Sequence, residues 1–278
     1  MTKQAAAVCL MLLLAGGAHP AQVLYVRSNG ELEQKKGGGY SALYLLDADP
    51  ATVWCSAGSG RGAQLEILLD EPTDIEAMEI WNGNQKSEGA FSEFTRVKKM
   101  QLSVRDMSHT VELKDERGAQ KFGFDPPLQD RRVVIKLLGG YRGSEARHTC
   151  ISDVIFYRNK KPLWGKSLKP AISASLPNAE FLDTWVAGPE YARNRELVLS
   201  IYNTFFYTFL PDDPAQPSVR ATGSWRVCEG VLELVMGKKV IQVRVARDDS
   251  GGLKKLRIDS QENLPQGMDQ VYVRHKVW

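Results

Sequence analysis

The stretch LLDADPATVWC, residues 45–55, crowds two carboxylates, a proline, a threonine, a tryptophan and a cysteine into eleven positions. Asp47, Asp49 and Thr52 offer hard oxygen atoms around a turn, and intervening backbone carbonyls can complete the shell that a calcium-sized cation needs. The same residues suit an Asx turn, in which the carboxylates accept backbone N–H groups and Pro50 fixes one dihedral. Acid/base catalysis by the pair requires pKa values pushed apart, and nothing nearby in the sequence does that.

Other catalytic chemistry is sparse. There is no GxSxG elbow, HExxH pair, phosphate loop or dinucleotide fingerprint, and GSGRG at residues 58–62 leads into a strand-like run instead of a helix. His109, His148 and His275 have no obvious Ser or Cys partner by sequence. The chain therefore reads as non-catalytic; a hydrolase would have to draw on carboxylates such as Asp183, Asp212 or Asp213 in its C-terminal part.

The elements that must position these residues are strands. A 278-residue chain that is 43% hydrophobic and 25% charged is a folded protein with room for two domains. Residues 1–21 combine Lys3, an apolar core and small residues, the pattern of a signal peptide cleaved after Ala18 or Ala21. No other apolar run is long enough to span a bilayer, so an exported protein, periplasmic or secreted, is expected. Loss of Lys3 lowers the formal charge of +3 by one, a balance that argues against a nucleic-acid partner.

From Leu43, short apolar runs such as LEILL, IEAMEIW, RVVIKLL and CISDVIFY recur between turn signals, which predicts an antiparallel β-sandwich over residues 22–158. Residues 159–175, basic and holding two prolines, read as a linker. Residues 176–278 hold eight further strand-like runs in sequence, predicting a small up-and-down antiparallel β-barrel or closed meander. The chain is thus expected to be all-β. Trp54 should pack in the first core, and Trp185 and Trp225 should plug the second; Cys228 reads as a small buried apolar residue.

The ordered series SALYLLDADPATVWC, GSGRGAQLEILL, IEAMEIWNGNQKS, FTRVKKMQLSV and YRGSEARHTCISDVIFY resembles discoidin-like domains, also called coagulation factor 5/8 type C domains. It is most similar to the bacterial NADase-type glycan-binding subgroup, and the resemblance spans about residues 39–157. It implies a jelly-roll sandwich that binds carbohydrate at loops on one end. It also implies a structural calcium held by Asp47, Asp49 and Thr52, with Asp153 standing where a glutamate is usual.

In an exported sandwich, Cys55 and Cys150 suit a disulfide between neighbouring first and last strands, the other reading being a reactive thiol. The ligand loops would lie at residues 81–96 and 139–148. Trp81 and Phe91 would offer faces to sugar C–H surfaces, and Asn82, Asn84, Lys86, Arg96, Tyr141, Arg142 and His148 would bond hydroxyls. The expected partner is a host or envelope glycan, with an envelope protein as the alternative. LDTW and TGSW bear a slight similarity to lipocalin-like barrels, which implies an apolar cavity that NTFFYTF, residues 203–209, could line.

Overall fold

The computed structural model describes residues 21–33, 39–189 and 193–276. The expected signal peptide falls outside them except for Ala21, which is buried.

The N-terminal domain opens with β1 (Val23–Ser28), buried on both faces at its start. Next comes a 3-10 turn, Ala42–Leu46, with the Ser41 side chain accepting the Leu43 N–H at its start. The apolar run before the Asp turn is therefore helical, where a strand was expected. Four of its five residues are buried, which one tight turn achieves without a ladder partner. Then follow β2 (Trp54–Cys55), β3 (Gln64–Asn82), α1 (Glu88–Glu93), β4 (Thr95–Val104), β5 (Met107–Glu112), β6 (Ala119–Tyr141), β7 (Thr149–Arg158) and β8 (Lys161–Pro162).

The long strands β3 and β6 build the sandwich. The first part of β3, Leu65–Leu68, lies between β1 and β6; its last part, Ala77–Trp81, lies between β7 and β6. One register shift, between Leu68 and Thr73, spans the exposed Asp70–Pro72 corner, where a proline cannot donate to a ladder and the strand turns toward its other layer; a second follows between Ile75 and Ala77. β4 pairs with β6 antiparallel and with β7 parallel, so β3, β6, β4 and β7 close on one another. Leu65, Ile67, Met78, Ile80, Val133, Ile135, Val154 and Phe156 fill the space between, each fully buried.

The connecting segment carries structure of its own. β8 pairs with the end of β7, and Trp164 donates its Nε1–H to the Val154 carbonyl at 2.9 Å. A 3-10 turn (Lys166–Leu168), α2 (Lys169–Ser175) and a second 3-10 turn (Leu176–Phe181) follow, burying Leu168, Ile172 and Phe181.

The C-terminal domain comprises β9 (Asp183–Ala187), β10 (Arg195–Leu199), β11 (Thr204–Phe209), β12 (Val219–Cys228), β13 (Val231–Met236), β14 (Lys239–Arg247), β15 (Leu253–Arg257) and β16 (Val271–Arg274). Each pairs with the next, and β16 returns to β9 to close an eight-stranded barrel. The meander is as expected. β12 shows why: Ala221, Gly223, Trp225 and Val227 turn inward while Arg220, Thr222, Ser224, Arg226 and Cys228 turn outward.

That parity corrects the expectation for Cys228, which is exposed beside the Glu229–Gly230 hairpin turn instead of buried. The interior also corrects the cavity expectation. Trp185, Trp225, Phe205, Tyr207, Tyr272, Leu197, Leu234 and Ile241 fill it, and Phe206 turns outward. An apolar filling with a charged exterior is the reverse of a membrane barrel. Among the described residues no helix is long and apolar enough to cross a membrane.

The two domains share one core and a buried ionic network. Arg27 donates Nε–H to Glu66, Nη1–H to Asp183 and Nη2–H to the His275 carbonyl, each at 2.7 Å. Arg132 also pairs with Glu66, and Arg274 lies 3.4 Å from Asp183. The Tyr25 hydroxyl donates to Glu66 at 2.9 Å and lies 2.8 Å from the Thr184 hydroxyl. The Glu66 and Asp183 side chains are completely buried. Burial pushes the Tyr25 phenol up to about 12 and raises Asp183 against the pull of Arg27 and Arg274.

Candidate functional site

The two loops expected to carry ligand residues are packed together at one end of the sandwich. Ser144 N–H donates to the Ser92 carbonyl at 3.0 Å, Ala146 N–H to the Glu93 carbonyl at 2.9 Å, and Gly143 N–H to the Thr95 hydroxyl at 3.3 Å. The approach is so close that a Cβ on Gly143 would sit 2.1 Å from the Glu93 carbonyl oxygen. Gly83 has φ of 75° and stands where a Cβ would meet Arg96 Cγ at 2.5 Å.

Arg96 ties this end together. Its Nε and Nη2 hydrogens grip Asp115 at 2.9 and 2.7 Å, and Nη1 donates to the carbonyls of Ser92, Phe94 and Arg142. The guanidinium lies 5.2 Å from the Phe91 ring centroid, and both side chains are buried. Asn82 is equally engaged: its amide donates to the Val97 carbonyl and accepts the Val97 N–H, both at 2.8 Å. Gln85 donates to the Asn82 carbonyl and accepts the Gly118 N–H. The Asn84 side chain accepts the Lys86 N–H at 3.2 Å.

The remaining expected residues stand nearer solvent. Trp81 is half-buried against the core, and Tyr141, also half-buried, donates to the Leu113 carbonyl at 3.0 Å. His148 Nδ1 lies 3.0 Å from the Ser56 carbonyl. Lys86 and Arg142 have exposed side chains. The short helix α1 was not expected; Ser87, whose hydroxyl accepts the Ala90 N–H at 3.0 Å, is the capping signal that could have shown it.

A polar hollow of about 320 Å³ lies beside His148, lined by residues that include Asn29, Ser56, Ser59 and Arg61. Its floor is the GSGRG run, pinned where the Thr149 hydroxyl donates to the Ser59 carbonyl at 2.7 Å. The sequence marked that run as a motif of the discoidin-like series and as something other than a phosphate loop, without assigning it ligand residues.

Cys55 and Cys150 are bonded, with their Cα atoms 4.1 Å apart, at facing positions of β2 and β7. The expected disulfide is present and fastens the strand after the Asp turn to the strand that carries Asp153.

At the Asp turn, Asp47 accepts the Thr52 hydroxyl at 2.9 Å and the Asp49 N–H at 3.0 Å, and Asp49 accepts the Ala51 N–H at 3.1 Å. Lys169 of α2 donates to Asp49 at 2.5 Å and holds that carboxyl below its ordinary range, whereas burial raises Asp47. Asp153 is buried, and neither carboxylate oxygen has a hydrogen-bond partner among the described residues. Burial first, and the neighbouring Asp47 charge second, push its pKa up to about 8. No three His, Cys, Asp or Glu side chains among the described residues converge as a ready metal cluster. An unpartnered buried carboxylate beside a second one nevertheless fits a hard cation in its charge and donor chemistry.

Residues 20–157 match the family model described as the NAD glycohydrolase translocation F5/8 type C domain. The N-terminal half of the chain is a discoidin-like domain. The match begins before β1, a strand that the motif series at residues 39–157 left out.

Among solved structures, the discoidin-like half is similar to the family 32 carbohydrate-binding module of Clostridium perfringens NanJ in complex with galactose. That pair is 15% identical, with a TM-score of 0.38, covering 49% of this chain and 93% of that one. It is also similar to a family 32 module of the C. perfringens GH89 protein in complex with GalNAc-β-1,3-galactose, at 12% identity and a TM-score of 0.38, covering 49% and 100%. A third is the pair of such modules from C. perfringens ZmpB with GalNAc, at 13% identity and a TM-score of 0.39, covering 49% and 33%. No curated protein matches the chain.

Proposed function

We propose that the protein is an exported, non-catalytic glycan-binding protein whose discoidin-like domain recognises sugar through its clustered loops. The family match over residues 20–157 carries this reading. The disulfide agrees with a periplasmic or secreted setting. Asn82 and Arg96, buried and hydrogen-bonded within the loops, and the buried Phe91 would hold the loops in place. Contact with sugar then falls to Lys86, Arg142, Trp81, Tyr141, His148 and the polar hollow beside His148.

Asp47, Asp49, Thr52 and Asp153 would hold a structural calcium, which supplies positive charge to a buried carboxylate and locks the turn. No step of recognition runs through it. The carboxylates named for a hydrolase are otherwise employed: Asp183 is ion-paired in the core, Asp212 accepts the Asn194 amide, and Asp213 accepts the Ala215 N–H.

A second reading, capture of an envelope protein, draws on Tyr202, Phe206 and Leu210, which are exposed on the barrel side. A glycan array probed with the full chain separates the two. Saturable binding to one sugar class, weakened by Lys86→Ala and Arg142→Ala and indifferent to Phe206→Ala, supports glycan recognition. An array without saturable binding, together with partner capture lost in Phe206→Ala, favours the second reading.

A further inference from the structure

At the Asp turn, Asp153 and Asp49 stand in opposite states. Asp153 is buried and neither of its carboxylate oxygens has a hydrogen-bond partner among the described residues. Both oxygens of Asp49 are taken: Oδ1 accepts the Ala51 N–H at 3.1 Å and Oδ2 accepts the Lys169 ammonium at 2.5 Å. Lys169 comes from outside the sandwich, 120 positions along the chain, as the first residue of α2. Both side chains of that pair are partly exposed. The other charges felt at these carboxylates are Lys166 beside Asp49, and Asp47 and Glu79 beside Asp153.

The helix that carries the ammonium is fixed to the barrel at its far end. Ile172 is buried in the common core, and Ser175, the last residue of α2, donates its hydroxyl to the Ile201 carbonyl at 2.9 Å, in the turn between β10 and β11. One short helix therefore joins the Asp turn to the barrel, tied at both ends by side chains.

We propose that Lys169 is a tethered counter-ion that competes with calcium for Asp49, so that the connecting helix sets the calcium affinity of the sandwich, an inference that rests on calcium being the ion of this turn. A hard cation drawn to Asp153 and Asp47 takes Asp49 into its shell of oxygens when the ammonium leaves Oδ2. The two positive charges repel, and a partly exposed ion pair is weak enough to exchange. Cation entry thus frees Lys169 into solvent at the start of α2, while Ile172 and Ser175 stay docked. Without the cation, Lys169 neutralises one of the three aspartates and holds the turn to the helix.

The test is calorimetric titration of the full chain with calcium chloride at constant ionic strength, in the wild type, Lys169→Gln and Lys169→Arg. Removing the ammonium should tighten calcium binding about 5-fold or more, and Lys169→Arg, which keeps a cation there, should stay within ~2-fold of the wild type. Acetic anhydride labelling of the wild type, read by mass spectrometry, is an independent measurement: saturating calcium should raise acetylation of Lys169 at least ~3-fold relative to the exposed Lys161. If Lys169→Gln is misfolded by circular dichroism, the labelling decides alone. Calcium affinity equal or lower in the folded Lys169→Gln variant, or Lys169 labelling unmoved by saturating calcium, overturns the competition and leaves the calcium reading standing. No saturable calcium binding in any of the three proteins overturns the calcium reading and the competition with it.

Discussion

Asp153 is a buried carboxyl whose protonation links folding to pH. Its pKa is raised to about 8 in the folded state, so the native protein holds a proton there that the unfolded chain, near the ordinary 3.8, has already released. The resulting stabilisation is fully present below about pH 4 and is lost as pH rises through about 8. Asp153→Asn should flatten that decline, read as melting temperature against pH in chelator. Calcium should raise the melting temperature of the wild type at pH 8 and leave Asp153→Asn unmoved; an equal rise in both would remove Asp153 from the ligand set. Arg96 shows a second residue-scale effect. Replacing it with alanine strands Asp115 and three carbonyls, so a loss of about 2–4 kcal/mol in chemical denaturation is expected before any effect on ligand is considered.

At the scale of elements, the disulfide joins positions separated by 95 residues, and β2 has only two residues with which to hold the strand after the Asp turn. Replacing both cysteines with alanine should cost roughly 2–5 kcal/mol, measured by urea unfolding. An unchanged midpoint would mean that the turn is secured without the bond. The barrel strands were legible because strict alternation places Trp225 inward and Arg226 outward, a pattern local sequence carries completely. β1 was missed because VLYV is buried on both faces and shows no alternation, directly after an apolar leader-like run. The 3-10 turn was read as a strand because five apolar residues have no period long enough to separate the two.

Seen as a whole molecule, the chain is two β-domains welded through Arg27, Glu66, Arg132 and Asp183. None of these pairings was legible, because Arg27 and Asp183 are 156 positions apart and only the packed domains bring them together. For the same reason Asn82 and Arg96 read as ligand residues, although their amide and guanidinium are spent on Val97 and Asp115. Arg27→Ala leaves two buried carboxylates short of a partner; a loss of about 3–5 kcal/mol is expected, with one unfolding transition splitting into two. A single unshifted transition would show that the apolar core alone joins the domains.

The proposed function requires sugar to land on the loop end of the sandwich. Chemical-shift mapping of the isotope-labelled full chain, titrated with an array-selected oligosaccharide, tests it most directly. Saturable shifts are expected to cluster at residues 81–96, 139–148 and 56–63, with the barrel strands silent. Shifts confined to the barrel, or none at saturating sugar, would contradict it.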